Sequence, residues 1–174
     1  MQIVYPIIFF IISLRWGKWK NWQKYYPTIL FMVVGNLFYL YLFKEYPMWR
    51  FEHTFEEKLL PTRMSINVLK VFTSFPILTL IFLSHYPEDR NVKKKVSYII
   101  FWSILFGVIE YVSKLFGMIS YHHTWNMWWS LFFDSVMFSI LAVHYKRPII
   151  AWIVSGLFIL FLWKVFHIDF ELLD

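Results

Sequence analysis

The chain has 174 residues, 59% of them hydrophobic, 24% aromatic and only 16% charged, where soluble domains carry about 25% charged residues. With a mean hydropathy of +0.53, it is not an ordinary soluble protein. The absence of cysteine removes disulfides, thiolate nucleophiles and Cys-ligated metals, and a net charge of +6 fits lysines and arginines retained at one membrane face better than a nucleic-acid surface.

Six apolar segments follow in chain order, about 2–16, 27–43, 65–84, 96–117, 125–144 and 148–166. A helix needs about 20 residues to cross about 30 Å of hydrocarbon, so the last four are long enough and the second is slightly short. The first, MQIVYPIIFFIISL, has the core of a signal peptide without a basic leader or a small-x-small cleavage site, and is expected to be retained. It spans only if Arg15 and Lys18 snorkel and Trp16 and Trp19 sit at the interface. The expectation is therefore an all-α integral membrane bundle, one domain over 1–174, with six transmembrane helices. Five spans with an interfacial first segment is the alternative. Seven prolines and five glycines leave no room for a long linker.

Orientation follows from the short loops, because Lys and Arg are retained in the cytoplasm. One side collects Arg15, Lys18, Lys20, Lys24, Arg90, Lys93, Lys94, Lys95, Lys146 and Arg147; the other has Lys44, Arg50, Lys58 and Arg63. The first side is predicted to be cytoplasmic, with both termini extracytoplasmic. The run RWGKWKNWQKYYP interleaves Trp16, Trp19, Trp22, Tyr25 and Tyr26 with these charges, an aromatic belt rather than a nucleic-acid site. Anionic lipid headgroups are the expected partners of Lys18, Lys20, Lys24, Lys93, Lys94 and Lys95.

The outer loop, YPMWRFEHTFEEKLLPTRMS, carries Thr54 and Glu57 at capping-box spacing, Phe51, Phe55 and Leu59 four apart, and Pro61 as a stop. A short amphipathic helix over about 51–60 is predicted. A faint repeat is also present, with FLSHYP ending the third span and LAVHYKRP the fifth.

Four ionisable residues fall inside the spans: Lys70, Glu110, Lys114 and Asp134. A charge at mid-bilayer costs at least about 2.5 kcal/mol, so each needs a partner or a wet cavity. Ser103, Gly107, Glu110, Lys114 and Gly117 share one helix face; Asn126, Ser130 and Asp134 recur every fourth residue; Asn67, Lys70 and Ser74 nearly do. Counting about 1.5 Å per residue puts Glu110 roughly 21 Å from the cytoplasmic edge and Asp134 roughly 14 Å from the outer edge. Two readings follow. In one, the four charges form structural ion pairs. In the other, Glu110 and Asp134 line a hydrated outer-facing pocket with Lys70 and Lys114 as counter-charges, and Asn36, His122 and His123 complete the candidate set.

In the outer loops Glu52 with Glu56, or His53 with Glu57, share helical faces, but no H-E-x-x-H signature is present and neither a metal nor a cofactor is called. No G-x-S-x-G or glycine-rich phosphate loop occurs either. Trp125, Trp128 and Trp129 are placed to stack on a ligand, but belt tryptophans at the start of a span need none, and the belt reading is favoured.

The stretches WGKWKNWQKYYPTILF, GNLFY, FPILTLIFLSHYP and IEYVSKLFGMISYHHTWNMWWSLFFDSVMFSILAVHYKRP resemble a family of small multi-pass membrane proteins from endospore-forming Firmicutes. The resemblance implies a bacterial plasma-membrane location and brings no activity with it. From the residues, the leading expectation is binding or transport of a small molecule or ion. The alternatives are a membrane-embedded enzyme acting on a lipid or isoprenoid headgroup, with Glu110 or Asp134 as acid or base beside His122 or His123, and a structural or partner-binding subunit. An oligomer is a further possible partner state.

Overall fold

Local signals set the ends of most helices. The computed structural model describes residues 2–52 and 59–168. Helix α1 (Val4–Trp16) ends where the Gly17 N–H bonds the Ser13 carbonyl, and α2 runs Trp22–Leu42. Helix α3 (Arg63–Leu69) starts at Thr62, which accepts the Ser65 N–H while its own N–H reaches Ser65 Oγ. Asn91 caps α5 (Val92–Leu115) and Asn126 caps α6 (Met127–His144) by accepting first-turn N–H groups. Pro148 opens α7 (Pro148–Phe166), where a missing N–H costs nothing.

Helix α3 continues through a π-helical turn, Lys70–Ser74, into α4 (Phe75–His85). Pro76 accounts for the irregularity. It has no N–H for the carbonyl four residues back and its ring crowds that carbonyl, and a widened turn relieves both.

Five helical rods, Trp19–Leu42, Arg63–His85, Val92–Leu115, Met127–His144 and Pro148–Phe166, are long and apolar enough to cross a membrane. This is the arrangement of a multi-pass membrane protein, with five helices of spanning length where six were expected. The first segment yields 13 helical residues, about 20 Å, less than the hydrocarbon thickness.

The fold is all-helical, as expected, apart from one small two-stranded ribbon. Strand β1 (Trp49–Phe51) pairs antiparallel with β2 (Ile119–Tyr121), Arg50 opposite Ser120. Bonds from Glu52 N–H to the Met118 carbonyl and from His122 N–H to the Met48 carbonyl, both 2.9 Å, extend this ribbon. The amphipathic helix expected over 51–60 lies largely outside the described residues, as do Thr54, Glu57 and the candidate metal residues His53 and Glu56.

The ribbon marks one end of the bundle. The buried Gln2 donates to the Glu52 and Met118 carbonyls, 2.9 Å each, tying the start of α1 to it, while just past α1 the Lys18 N–H reaches Ser84 Oγ at the far end of α4. Away from the ribbon, Phe82 of α4 packs on Tyr98 and Trp102 of α5 and Phe138 of α6, ring centroids 5.0–5.8 Å apart. Helix α5 meets α6 closely at Gly107, where a Cβ would strike Leu131. The aromatic cluster thus holds α4 against α5 and α6 at one level; nearer the ribbon the same helices line a cavity.

The faint HYP/HYK repeat does not carry into side-chain roles. His85 is exposed and bonds its own helix, whereas His144 is buried, bonded to Thr28 at 3.0 Å and stacked on Phe31.

Candidate functional site

A cavity of about 430 Å³ lies beneath the ribbon, walled by α1, α2, the α3–π–α4 rod, α5 and α6. Phe75, Leu78 and Phe106 contribute apolar wall at the level of the aromatic cluster, while Lys44, Arg50 and Arg63 line it near the ribbon. Of the residues singled out from sequence, Glu110, Asp134, Lys70 and Asn36 line this cavity.

The acidic wall is built by α5 and α6. Glu110 Oε1 accepts the Tyr121 hydroxyl at 2.6 Å and also the Ser130 hydroxyl. Ser130 in turn accepts the Trp125 indole N–H at 2.8 Å. Burial, and then the Glu110 carboxylate, hold the Tyr121 hydroxyl well above its ordinary pKa, so it remains a donor. Asp134 lies one helical turn beyond Ser130 and is only 8% exposed, and its Oδ2 has no hydrogen-bond partner among the described residues. An unpaired buried carboxylate oxygen is costly.

The facing rod supplies Lys70 and Ser74, both from the π-helical turn. Lys70 is likewise 8% exposed; its Nζ sits 3.6 Å from the Phe51 ring centroid and 5.7 Å from that of Tyr5, in cation–π contact. The buried Ser74 Oγ has no hydrogen-bond partner among the described residues. Asn36 uses one amide hydrogen on the Met32 carbonyl, 2.8 Å away.

The ion pairs considered from sequence do not form. Among the described residues neither Glu110 nor Asp134 bonds a lysine; the pairs present are Lys24–Glu88, Lys146–Glu88, Lys44–Glu45 and Arg63–Glu52. Lys114 does not line the cavity. It sits exposed in the last turn of α5, its Nζ 4.2 Å from the Tyr121 ring centroid, as a snorkelling lysine does. His122 and His123 are also outside the cavity lining. His122 bonds Ser120 at 2.9 Å, and His123 stacks on Tyr46 at 3.5 Å. Burial, with the His122 and Arg50 charges, holds the His123 pKa below its usual value.

Arg50 and Arg63 were not anticipated as site residues. Arg50 lines the cavity from the middle of β1, and Arg63 opens α3 with its guanidinium on Glu52 at 3.0 Å. Burial alone would raise the Glu52 carboxyl; hydrogen bonds from Ser120 and Arg63, with the Arg63 charge, outweigh it and hold the group below its ordinary value.

At the opposite end Lys18, Lys20, Lys93 and Lys94 are exposed and Lys95 is half-buried. Lys24 is already engaged by Glu88 at 3.5 Å, a carboxylate shared with Lys146 at 3.3 Å.

Fold and site together define a helical multi-pass membrane protein with an amphipathic cavity at one end of the bundle. Comparison with family models, with curated proteins and with solved structures found no match.

Proposed function

We propose that this chain binds a small charged molecule in the cavity beneath the ribbon, as part of a binding or transport role in a bacterial plasma membrane. One observation carries the reading: Asp134 Oδ2 and Ser74 Oγ, on two facing walls of one cavity, are buried with no hydrogen-bond partner among the described residues, and the buried Lys70 beside Ser74 has no ion pair among them. Buried polar groups are ordinarily paired, and those left unpaired beside a cavity fit a ligand better than they fit a structural core. The enzyme reading is weaker, because the histidines that would assist Glu110 or Asp134 are not cavity residues.

The chain in this reading crosses six times with both termini outside, α1 passing beside α4 from the ribbon to the far end, its short length offset by Arg15 and Lys18 snorkelling and by Trp16 and Trp19 at the interface. The ribbon end is extracytoplasmic, because Arg90, Lys93, Lys94, Lys95, Lys146 and Arg147 join the RWGKWK run at the other. Lys18, Lys20, Lys93 and Lys94, with Lys95 beside them, meet anionic lipid headgroups there, and Lys24 does so in competition with Glu88.

The test is binding and flux in proteoliposomes, with Trp49 and Trp125 of the cavity wall as fluorescent reporters. Titration with organic cations, inorganic anions and protons should change emission or drive uptake. No response to any of these, beside a working transport control, would remove the basis of the reading.

A further inference from the structure

Resting on the binding reading above, the chemistry of the two walls narrows the ligand. The acidic wall runs without a break into an aromatic one: Glu110 bonds Ser130, Ser130 bonds Trp125, and Trp125 packs on Trp49 with centroids 5.0 Å apart. Trp49 also touches Tyr39 at 4.5 Å and Phe133 at 5.0 Å, and all four rings line the cavity. Carboxylates beside aromatic faces are the chemistry that recognises an ammonium group, alkylated ammonium above all, because its charge is weakly hydrated and its methyl groups pack on rings.

The facing side has the opposite sign. Lys70 and Arg50 form no ion pair among the described residues, and the unpartnered Ser74 hydroxyl lies on the same π-turn as Lys70. A lysine, an arginine and a free hydroxyl suit a phosphate or carboxylate. Neither a simple cation nor a simple anion would answer both walls, since each would leave one set of buried charge uncompensated.

We propose that the cavity takes a zwitterion, its ammonium group between Asp134, Glu110 and the Trp49 cluster and its phosphate or carboxylate toward Lys70 and Arg50. The same chemistry occurs in a free zwitterion and in a lipid headgroup.

The experiment is calorimetric titration of the full-length chain in phosphatidylglycerol nanodiscs with phosphocholine, choline chloride and inorganic phosphate. Phosphocholine should bind at least about tenfold more tightly than either half. Asp134→Asn should weaken phosphocholine and choline by about tenfold and leave phosphate unchanged, and Arg50→Gln, on the ribbon and away from the helix core, should weaken phosphocholine and phosphate by about tenfold and leave choline unchanged. Doping the nanodiscs with phosphatidylcholine separates the sources: a headgroup ligand competes with added phosphocholine, a soluble one does not, and either result keeps the zwitterion. If choline or phosphate alone binds as tightly as phosphocholine, the zwitterion is wrong while ligand binding stands. If none of the three binds although the cavity is open to aqueous reagents, the assignment is overturned as well.

Discussion

The Tyr121 hydroxyl donates to Glu110 Oε1 at 2.6 Å, and this bond fastens the second strand of the ribbon to the middle of the acidic helix wall. Together with Ser130 it makes Glu110 a structural carboxylate, fully engaged on one oxygen. Asp134, one turn from Ser130, has a free oxygen in the same cavity. Glu110 therefore holds the wall through Oε1 as well as lining the cavity, while Asp134 serves the ligand alone.

Removing each charge should give different stability changes. Glu110→Gln weakens two charge-assisted bonds and should lower the melting temperature in a maltoside detergent, by a free energy on the order of 1.5–3 kcal/mol. Asp134→Asn loses no partner and should leave the melting temperature unchanged or raise it, as relief of an unsatisfied buried group does. A large drop for Asp134→Asn would return the pair to a structural role.

Two serines on facing walls should likewise differ. Ser130 links the Trp125 indole to Glu110, so Ser130→Ala orphans a buried N–H and should cost about 1–3 kcal/mol. Ser74→Ala removes a hydroxyl that has no partner and should be close to neutral. Chemical denaturation of the two variants side by side checks this.

The glycines give a packing test. Gly107→Ile would drive a branched side chain into Leu131 and Met127 and should separate α5 from α6, lowering stability sharply. A Cβ at Gly156, in α7, meets nothing within 4 Å, so Gly156→Ala should stabilise by up to about 1 kcal/mol through helix propensity. Melting temperatures that fall alike for both would contradict the close approach at Gly107.

The ribbon should loosen in acid. Glu52 has its folded-state pKa held down by Ser120 and Arg63, so its contribution is present above the unfolded value of about 4.3 and is lost as pH falls through the lower folded one. Because Arg63 is half-exposed, the effect should be below about 1 kcal/mol. Amide exchange at Arg50 and Ser120 should accelerate below about pH 4, and Glu52→Gln should flatten that dependence.

Much of the helical frame was readable because hydropathy and periodicity report it directly: the span 148–166 matches α7, and the four-residue spacing of Ser130 and Asp134 does put both on the cavity. Lys70 and Ser74 keep a common face although their turn is π-helical, a distortion that Pro76 signals in hindsight. Periodicity failed at Lys114, which shares the Glu110 face on a helical wheel but sits in the last turn, where a long chain bends to water. It failed again for Arg50 and the ribbon. Strands of three residues have no measurable period, and β1 and β2 are joined across nearly 70 positions that contain two membrane-length segments of chain. The pairing that brings Arg50 to the cavity is a tertiary fact, and so is the absence of the ion pairs that the formal charge balance had invited.

The most direct test of the central claim uses the absence of native cysteine. Ser74→Cys, on the cavity wall, and Ser103→Cys, buried on α5 outside it, are each placed in the full-length chain in nanodiscs and exposed to a charged, water-soluble methanethiosulfonate. A hydrated cavity predicts rapid modification at position 74, slowed by a bound ligand, and little at position 103. Equal, slow reaction at both positions would mean the space beneath the ribbon is closed to aqueous solutes, and the binding account would be wrong.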